Sequence, residues 1–260
     1  MPEDSGNPSG AKISDNQTNL LQQTSSNLNR MKSQLFTLDF PDDQQRKSRY
    51  AEAHSSGLPE FVNRLIRDTQ DNIPLANLMT SRSTIRINTL LMELMNATKI
   101  LDVGLYTGMH AVAAASVINS DGKVYGIDTR RVFWDDYGRK YAMRARLSEK
   151  VELLLSAKDN DMTGVLDTLI RDEAGTFDFC YIHDNRKEMY YEYYKKCLAL
   201  LRCGGIMTID DVLWGASGAR GPTLFEAQAM DRLNKRIKED GQVFVAMIPQ
   251  EEGISVLLKL

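Results

Sequence analysis

The sequence predicts an open α/β fold, with a mostly parallel sheet, helices on both faces and an antiparallel final strand. Three observations carry this. From about residue 58, strand-length apolar runs alternate with longer stretches of helical periodicity. Several of those runs end on Gly104, Asp128 or Asp210, where an open parallel sheet delivers its loops. The last two runs, 243–248 and 254–260, are joined only by Pro249 to Gly253, which is hairpin spacing.

Each element follows in order. Phe61, Leu65 and Ile66 sit at helical spacing, Pro74 interrupts, and Ile85, Thr89, Leu90, Leu94 and Met95 mark a second helix. Lys99 to Gly104 reads as the first strand and the alanine-rich Met109 to Ile118 as the helix after it. Strands are expected at 123–128, 151–155, 177–183 and 205–210. Helices are expected at 131–147, 162–172, 188–202 and 223–239. In the 188–202 helix Tyr190, Tyr193, Cys197 and Leu201 share one face.

The first 30 residues hold six apolar side chains among many Ser, Asn, Gln and Gly. Such a stretch cannot bury enough surface to offset its ordering entropy. A polar, largely disordered tail over 1–45 is therefore expected, with a weak amphipathic helix from Leu20 to Phe36, and a single folded domain over 46–260. The net charge of −3 leaves no basic footprint for nucleic acid or an anionic membrane surface. No run of 18 apolar residues and no signal sequence is present in the stretch given. The three cysteines, Cys180, Cys197 and Cys203, form no CxxC pair and read as reduced thiols of a cytoplasmic protein.

Chemistry is expected just beyond the strand ends. After the first strand, Asp102-Val103-Gly104-Leu105-Tyr106-Thr107-Gly108 places two glycines where the backbone turns and approaches a ligand. The spacing is G-x-x-x-G, not the dinucleotide G-x-G-x-x-G, and a plain structural turn fits it nearly as well. Asp128 follows the second strand, 24 residues beyond Gly104, where an acid commonly binds ribose hydroxyls or simply caps a helix. The fourth strand ends in His183-Asp184-Asn185-Arg186-Lys187 and the fifth in Asp210-Asp211-Val212-Leu213-Trp214. Three carboxylates there, Asp184, Asp210 and Asp211, would repel one another unless a hard divalent cation neutralised them: Mg²⁺ first, with Ca²⁺ or Mn²⁺ as alternatives. Taken singly, each acid fits an ordinary N-cap equally well.

These residues resemble the cation-dependent O-methyltransferases, the group of caffeoyl-CoA and catechol O-methyltransferases. The resemblance runs from about residue 58 to 260 through Leu78-Met79-Thr80-Ser81, Leu101 to Gly108, Gly126-Ile127-Asp128, Lys187-Glu188-Met189-Tyr190, Leu200 to Gly205 and Asp210 to Trp214. It implies a Rossmann-like, seven-stranded S-adenosylmethionine-dependent methyltransferase sheet. It further implies that Gly104, Tyr106 and Gly108 line the methionine end of S-adenosylmethionine, with Met79, Ser81, Asp102 and Asp184 near the cofactor. Asp128 would hold the ribose, and Ser156 and Ala157 would flank the adenine. A divalent ion would bind two oxygens of a small phenolic substrate, Lys187 would take the hydroxyl proton, and Trp214 would wall the substrate pocket. The resemblance admits a homodimer.

Departures from the family pattern are specific. Counting back from Gly204-Gly205 puts the family's fourth-strand aspartate on Asp184 and its lysine on Lys187, a register that needs a bulge in the strand. Counting forward from Phe177-Asp178 puts them on His183 and Arg186. The first register keeps both residue types and is preferred; the second would give an N/O/O ligand set that leans toward a transition metal. Asp211 stands where the family has asparagine, Thr84-Ile85-Arg86 replaces Glu-Gly-Gln, and Met109-His110 replaces Tyr-Ser, leaving His110 as the donor to the cofactor. These changes also fit a catalytically weakened cofactor-binding scaffold. A nicotinamide oxidoreductase is disfavoured by the missing dinucleotide motif and the antiparallel last strand.

Overall fold

A computed structural model of the chain describes residues 43–73, 78–156, 161–214 and 223–260. The expected helix from Leu20 to Phe36, all but the end of the expected tail, and Ala157 lie outside the described residues. The chain divides into two compact units, Met1–Tyr50 and Ala51–Leu260. Of the first unit only the opening turns of helix α1 (Asp43–Ala53) are described.

Seven strands form one sheet: β1 (Lys99–Val103), β2 (Lys123–Asp128), β3 (Val151–Leu155), β4 (Phe177–Ile182), β5 (Leu201–Asp210), β6 (Val243–Ile248) and β7 (Ile254–Lys259), in the order β3-β2-β1-β4-β5-β7-β6. β1 to β5 run parallel, and β7 is antiparallel to both β5 and β6. The order reverses between β1 and β4, which puts the ligand-binding crevice at their carboxyl ends. The seven strands and the antiparallel end agree with the sequence reading.

Helices α2 (Glu60–Asn72), α3 (Arg82–Leu94), α4 (Met109–Val117) and α5 (Arg139–Arg144) cover one face; α6 (Thr163–Glu173), α7 (Tyr190–Leu200) and α8 (Leu224–Glu239) cover the other. Strand parity sorts the core between them. Leu101, Val103, Cys180 and Ile182 pack with α6 to α8, whereas Ile100, Phe179 and Tyr181 pack with α2 to α5. Both central strands are buried almost throughout, as a two-sided parallel strand must be.

Two boundaries differ most from expectation, and Leu201, expected on the face of the 188–202 helix, lies in β5, since that helix ends at Leu200. β5 begins at Leu201, four residues early, because Leu201 already pairs with Phe177; the next pairing, Phe179 with Ile206, comes after Arg202 to Gly205 have looped out. Gly204 takes φ +72° in that excursion, a conformation open to glycine. The 131–147 helix opens with a π turn at Trp134–Gly138 before α5. Gly138 passes so close to the glycine loop that a Cβ there would lie 2.2 Å from the Thr107 carbonyl oxygen. All three cysteines are free thiols. Among the described residues no helix is long and apolar enough to cross a membrane.

Candidate active site

The loop after β1 is built for close approach. Gly104 takes φ +96°, and a Cβ on it would sit 1.8 Å from the carbonyl oxygen of His183 on the neighbouring strand. Gly108, at φ +78°, packs under the Trp134 ring and starts α4. Asp128 ties this loop to β2. Its Oδ2 accepts the Tyr106 N–H (2.8 Å), and its Oδ1 accepts the N–H groups of Thr129 (2.7 Å) and Arg130 (3.1 Å). Burial raises the Asp128 carboxyl pKa, and these three donors offset part of that.

The fourth-strand register falls on His183. From Phe179 on, β4 pairs with β1 without a break, and the His183 N–H continues the ladder to the Val103 carbonyl (3.0 Å), so no bulge separates Phe179 from His183; the irregularity against β5 lies earlier, between Phe177 and Phe179. Phe179, Tyr181 and His183 therefore share a face with Ile206, Thr208 and Asp210, their partners on β5 or the next residues on the same face. Ligand atoms of His183, Asp210 and Asp211 lie within 4.8 Å of one another. Asp184, expected as the third carboxylate, points to the opposite face. Its Oδ2 receives Arg186 Nε (3.2 Å) and Nη2 (3.1 Å) and the Tyr193 hydroxyl (3.1 Å), although it still borders the cleft. The expectation of three converging carboxylates is thus corrected to two carboxylates and an imidazole.

The charges in this cluster are balanced. Asp211 Oδ2 accepts the Lys187 ammonium (2.7 Å) and lies 3.2 Å from His183 Nε2. Lys187 is buried, and its two other hydrogens go to the Asp184 carbonyl (2.7 Å) and the Tyr190 hydroxyl (2.8 Å). Burial pushes the Asp211 carboxyl up, but His183 and Lys187 outweigh it and hold the group well below the usual carboxylate range. Asp210 is raised, first by burial and then by Asp211. Burial lowers the His183 pKa, Asp211 and Asp210 raise it, and the net shift is upward. Asp211 adopts φ +60°, the left-handed region that Asp and Asn enter more readily than most residues.

A cleft of about 450 Å³ joins these features, lined by Met79, Ser81, Gly104, Tyr106, Asp128, His183, Asp184, Lys187, Asp210, Asp211 and Trp214. Ser81 also caps α3, accepting the Thr84 N–H (3.0 Å). Trp214 lies under Lys187, with the ammonium 5.3 Å from its ring, and its buried indole N–H has no partner among the described residues. Thr129, Arg130, Phe133, Met162, Glu226, Glu251 and Glu252 also line it and carried no signal in the sequence beyond their positions in loops, turns and helix starts.

Three expected cofactor contacts, Asp102, His110 and Ser156, do not reach the cleft, and Gly108 does not line it either. His110 Nδ1 meets Asp102 Oδ2 at 3.0 Å, its Nε2 meets Asn88 Nδ2 at 3.0 Å, and its ring lies on Tyr181 with centroids 4.0 Å apart. Both His110 and Asp102 are buried beneath the loop, where a histidine and a carboxylate satisfy each other's desolvation. Ser156 lies at the β2–β3 edge: its N–H reaches the Asp128 carbonyl (3.0 Å) and its hydroxyl the Asp161 carbonyl, and it does not line the cleft.

Comparison with known proteins agrees with this architecture. The O-methyltransferase family profile matches residues 52–260. A Dictyostelium discoideum protein named "Probable caffeoyl-CoA O-methyltransferase 1" is 30% identical over 213 residues, covering 81% of this chain and 90% of that one. Caffeoyl-CoA O-methyltransferase 1 of Arabidopsis thaliana is 26% identical over 211 residues, covering 78% and 79%. Among solved structures, the SAH-bound methyltransferase PaMTH1 of Podospora anserina shares the fold with a TM-score of 0.71 at 22% identity, covering 86% of this chain and 98% of that one. The O-methyltransferase TomG of Streptomyces achromogenes, in complex with SAM, gives 0.70 at 20% identity, covering 84% and 99%. With its sheet order, its glycine loop and a family match across the whole described domain, the chain belongs to the O-methyltransferase family and is an S-adenosylmethionine-dependent O-methyltransferase.

Proposed function

We propose that the protein methylates one hydroxyl of a small catechol-like or caffeoyl-type phenol with the help of a divalent ion held by His183, Asp210 and Asp211. The convergence of those three donors on the rim of the cleft carries the reading. By resemblance the family holds its ion with two aspartates and an asparagine. Here His183 removes one negative charge from that set and Asp211 returns it, so the ligands keep the same formal charge. The fit to a divalent ion is therefore preserved, while the nitrogen donor favours Mn²⁺ or another transition metal over Mg²⁺. The caffeoyl-CoA names of the relatives and a cleft within the usual size range of small-molecule sites support the substrate class.

When bound, S-adenosylmethionine supplies the electrophilic methyl group and the ion acidifies the acceptor hydroxyl. The chain's own residues do the rest. Gly104 and Tyr106 line the cleft on the loop that would lie under the donor, Met79 and Ser81 line it from the N-terminal segment, and Asp128 would take the ribose hydroxyls. Lys187 already donates all its hydrogens in the free protein. We assign it the task of holding negative charge at the acceptor oxygen, not of waiting as a neutral base. Trp214 offers its ring to the substrate.

A second reading has one observation in its favour. Lys187 and His183 balance Asp210 and Asp211 without any metal, as a cation-independent or scaffold site would. One experiment separates the two. Chelator-stripped protein is assayed for S-adenosylhomocysteine release with S-adenosylmethionine and a panel of catechols and caffeoyl thioesters. Mn²⁺ should restore turnover and Mg²⁺ should restore less. Full turnover in chelator would remove the metal, and no turnover on any acceptor with every ion would favour the scaffold.

A further inference from the structure

Behind the three donors lies a line of hydroxyls that the sequence did not suggest. Tyr181, fully buried on β4, has its hydroxyl 2.8 Å from Asp210 Oδ2 and 3.0 Å from Thr80 Oγ1. Thr80, also buried, lies 3.2 Å from His183 Nδ1. A phenol has one hydrogen to give. The Asp210 oxygen is the nearer acceptor and the charged one, so the phenol hydrogen belongs there. The contact between Tyr181 and Thr80 must then be bridged by the Thr80 hydrogen. That leaves the Thr80 oxygen as an acceptor, and only a protonated Nδ1 can meet it.

We propose that Thr80 and Tyr181 are positioning residues: the directed chain His183 Nδ1–H to Thr80 to Tyr181 to Asp210 fixes Nδ1 as the protonated nitrogen of His183. Nε2 is thereby aimed at the Asp210–Asp211 cluster, and two donors from adjacent strands are locked to one frame. Ligating histidines commonly have their second nitrogen held this way, and loss of such a partner typically costs about 10–100-fold in metal affinity. Here the partner is a relay whose far end is itself one of the donors. Removing either hydroxyl loosens His183 and Asp210 together. The proposal rests on the reading of this cluster as a divalent-ion seat, but the direction of the chain is a property of the metal-free protein.

The test therefore has two readouts. In the first, ¹⁵N-histidine NMR of the metal-free full chain follows the Nδ1–H of His183, assigned with His183→Asn among the three histidines. The chain predicts a Nδ1–H signal protected from exchange in the wild type and in Thr80→Ser, and lost in Thr80→Val. In the second, Mn²⁺ affinity is measured by the EPR signal of the free ion. Tyr181→Phe and Thr80→Val should each weaken binding by about 10–100-fold, with Thr80→Ser close to the wild type. An unprotected Nδ1–H in the wild type, or one unchanged in Thr80→Val, overturns the chain, as do Mn²⁺ affinities in both variants within two-fold of the wild type. Should the wild type itself bind no Mn²⁺, the metal reading falls, and the NMR result alone upholds or overturns the chain.

Discussion

Gly104→Ala is the substitution whose effect can be worked most fully from the structure. The residue stands at φ +96°, where an L-residue costs about 1–2 kcal/mol in backbone strain alone. The added Cβ would meet the His183 carbonyl oxygen at 1.8 Å, and even the closest C–H···O contacts keep about 3.3 Å, so one strand end must retreat by about 1.5 Å. That end carries His183. A misplacement of about 1 Å is enough to cost roughly 100-fold in rate. Gly175→Ala is the control: it has φ +69° but nothing within 4 Å of its would-be Cβ, so it reports the backbone cost without the clash. Gly104→Ala should lower kcat/KM by at least about 100-fold, and it should melt lower than Gly175→Ala, which is expected to lose only about 2–8 °C. Methyl transfer and differential scanning calorimetry on both variants provide the check. A Gly104→Ala protein that melts like Gly175→Ala and turns over within a few-fold of the wild type would refute the claim that this glycine exists to let the loop touch the fourth strand.

Other outcomes follow from the same geometry. Lys187→Arg should retain part of the activity and Lys187→Ala almost none, since a held positive charge is what the site uses; equal loss in both, in the pH–rate profile as well as in kcat, would favour a base instead. Asp211→Asn should flatten the pH dependence of stability measured by urea unfolding. The Asp211 carboxyl is depressed on folding, so its contribution is present above the ordinary value of about 3.9 and lost as pH falls through the lower folded value. His183 is raised, so its contribution is complete below about 6.5 and lost as pH rises through the folded value. Unaltered slopes on both limbs would contradict these assignments. His110→Ala strips a partner from buried Asp102 and should cost about 3 kcal/mol or more, with little change in S-adenosylmethionine affinity by calorimetry; a large affinity loss with an unchanged melting temperature would return His110 to the cofactor.

The elements were legible because strand and helix periods differ, and this chain switches between them cleanly. The glycine loop and the aspartate that ties it to β2 were legible for a local reason: Asp128, Gly104 and Gly108 each answer to the turn they occupy. The cluster of His183, Asp210 and Asp211 was not, because it depends on parity and register between strands. Asp184 looked right by residue type, but β4 runs unbroken into His183, and only odd-numbered residues there share a face with Asp210. Asp102 and His110 misled for the opposite reason. They sit eight positions apart at strand and helix start, where a cofactor contact and a buried pair look alike in sequence. Tyr181 and Thr80 gave no signal, since a tyrosine in a buried strand reads as core until its hydroxyl is seen to meet a carboxylate.

The central claim is that a nitrogen of His183 and oxygens of Asp210 and Asp211 share one divalent ion. Electron spin-echo spectroscopy of the Mn²⁺-loaded protein carrying ¹⁵N-histidine tests this directly. Modulation from one histidine nitrogen should appear, vanish in His183→Asn and persist in Asp184→Asn. Bound Mn²⁺ with no nitrogen coupling, or a coupling that survives His183→Asn, would contradict it.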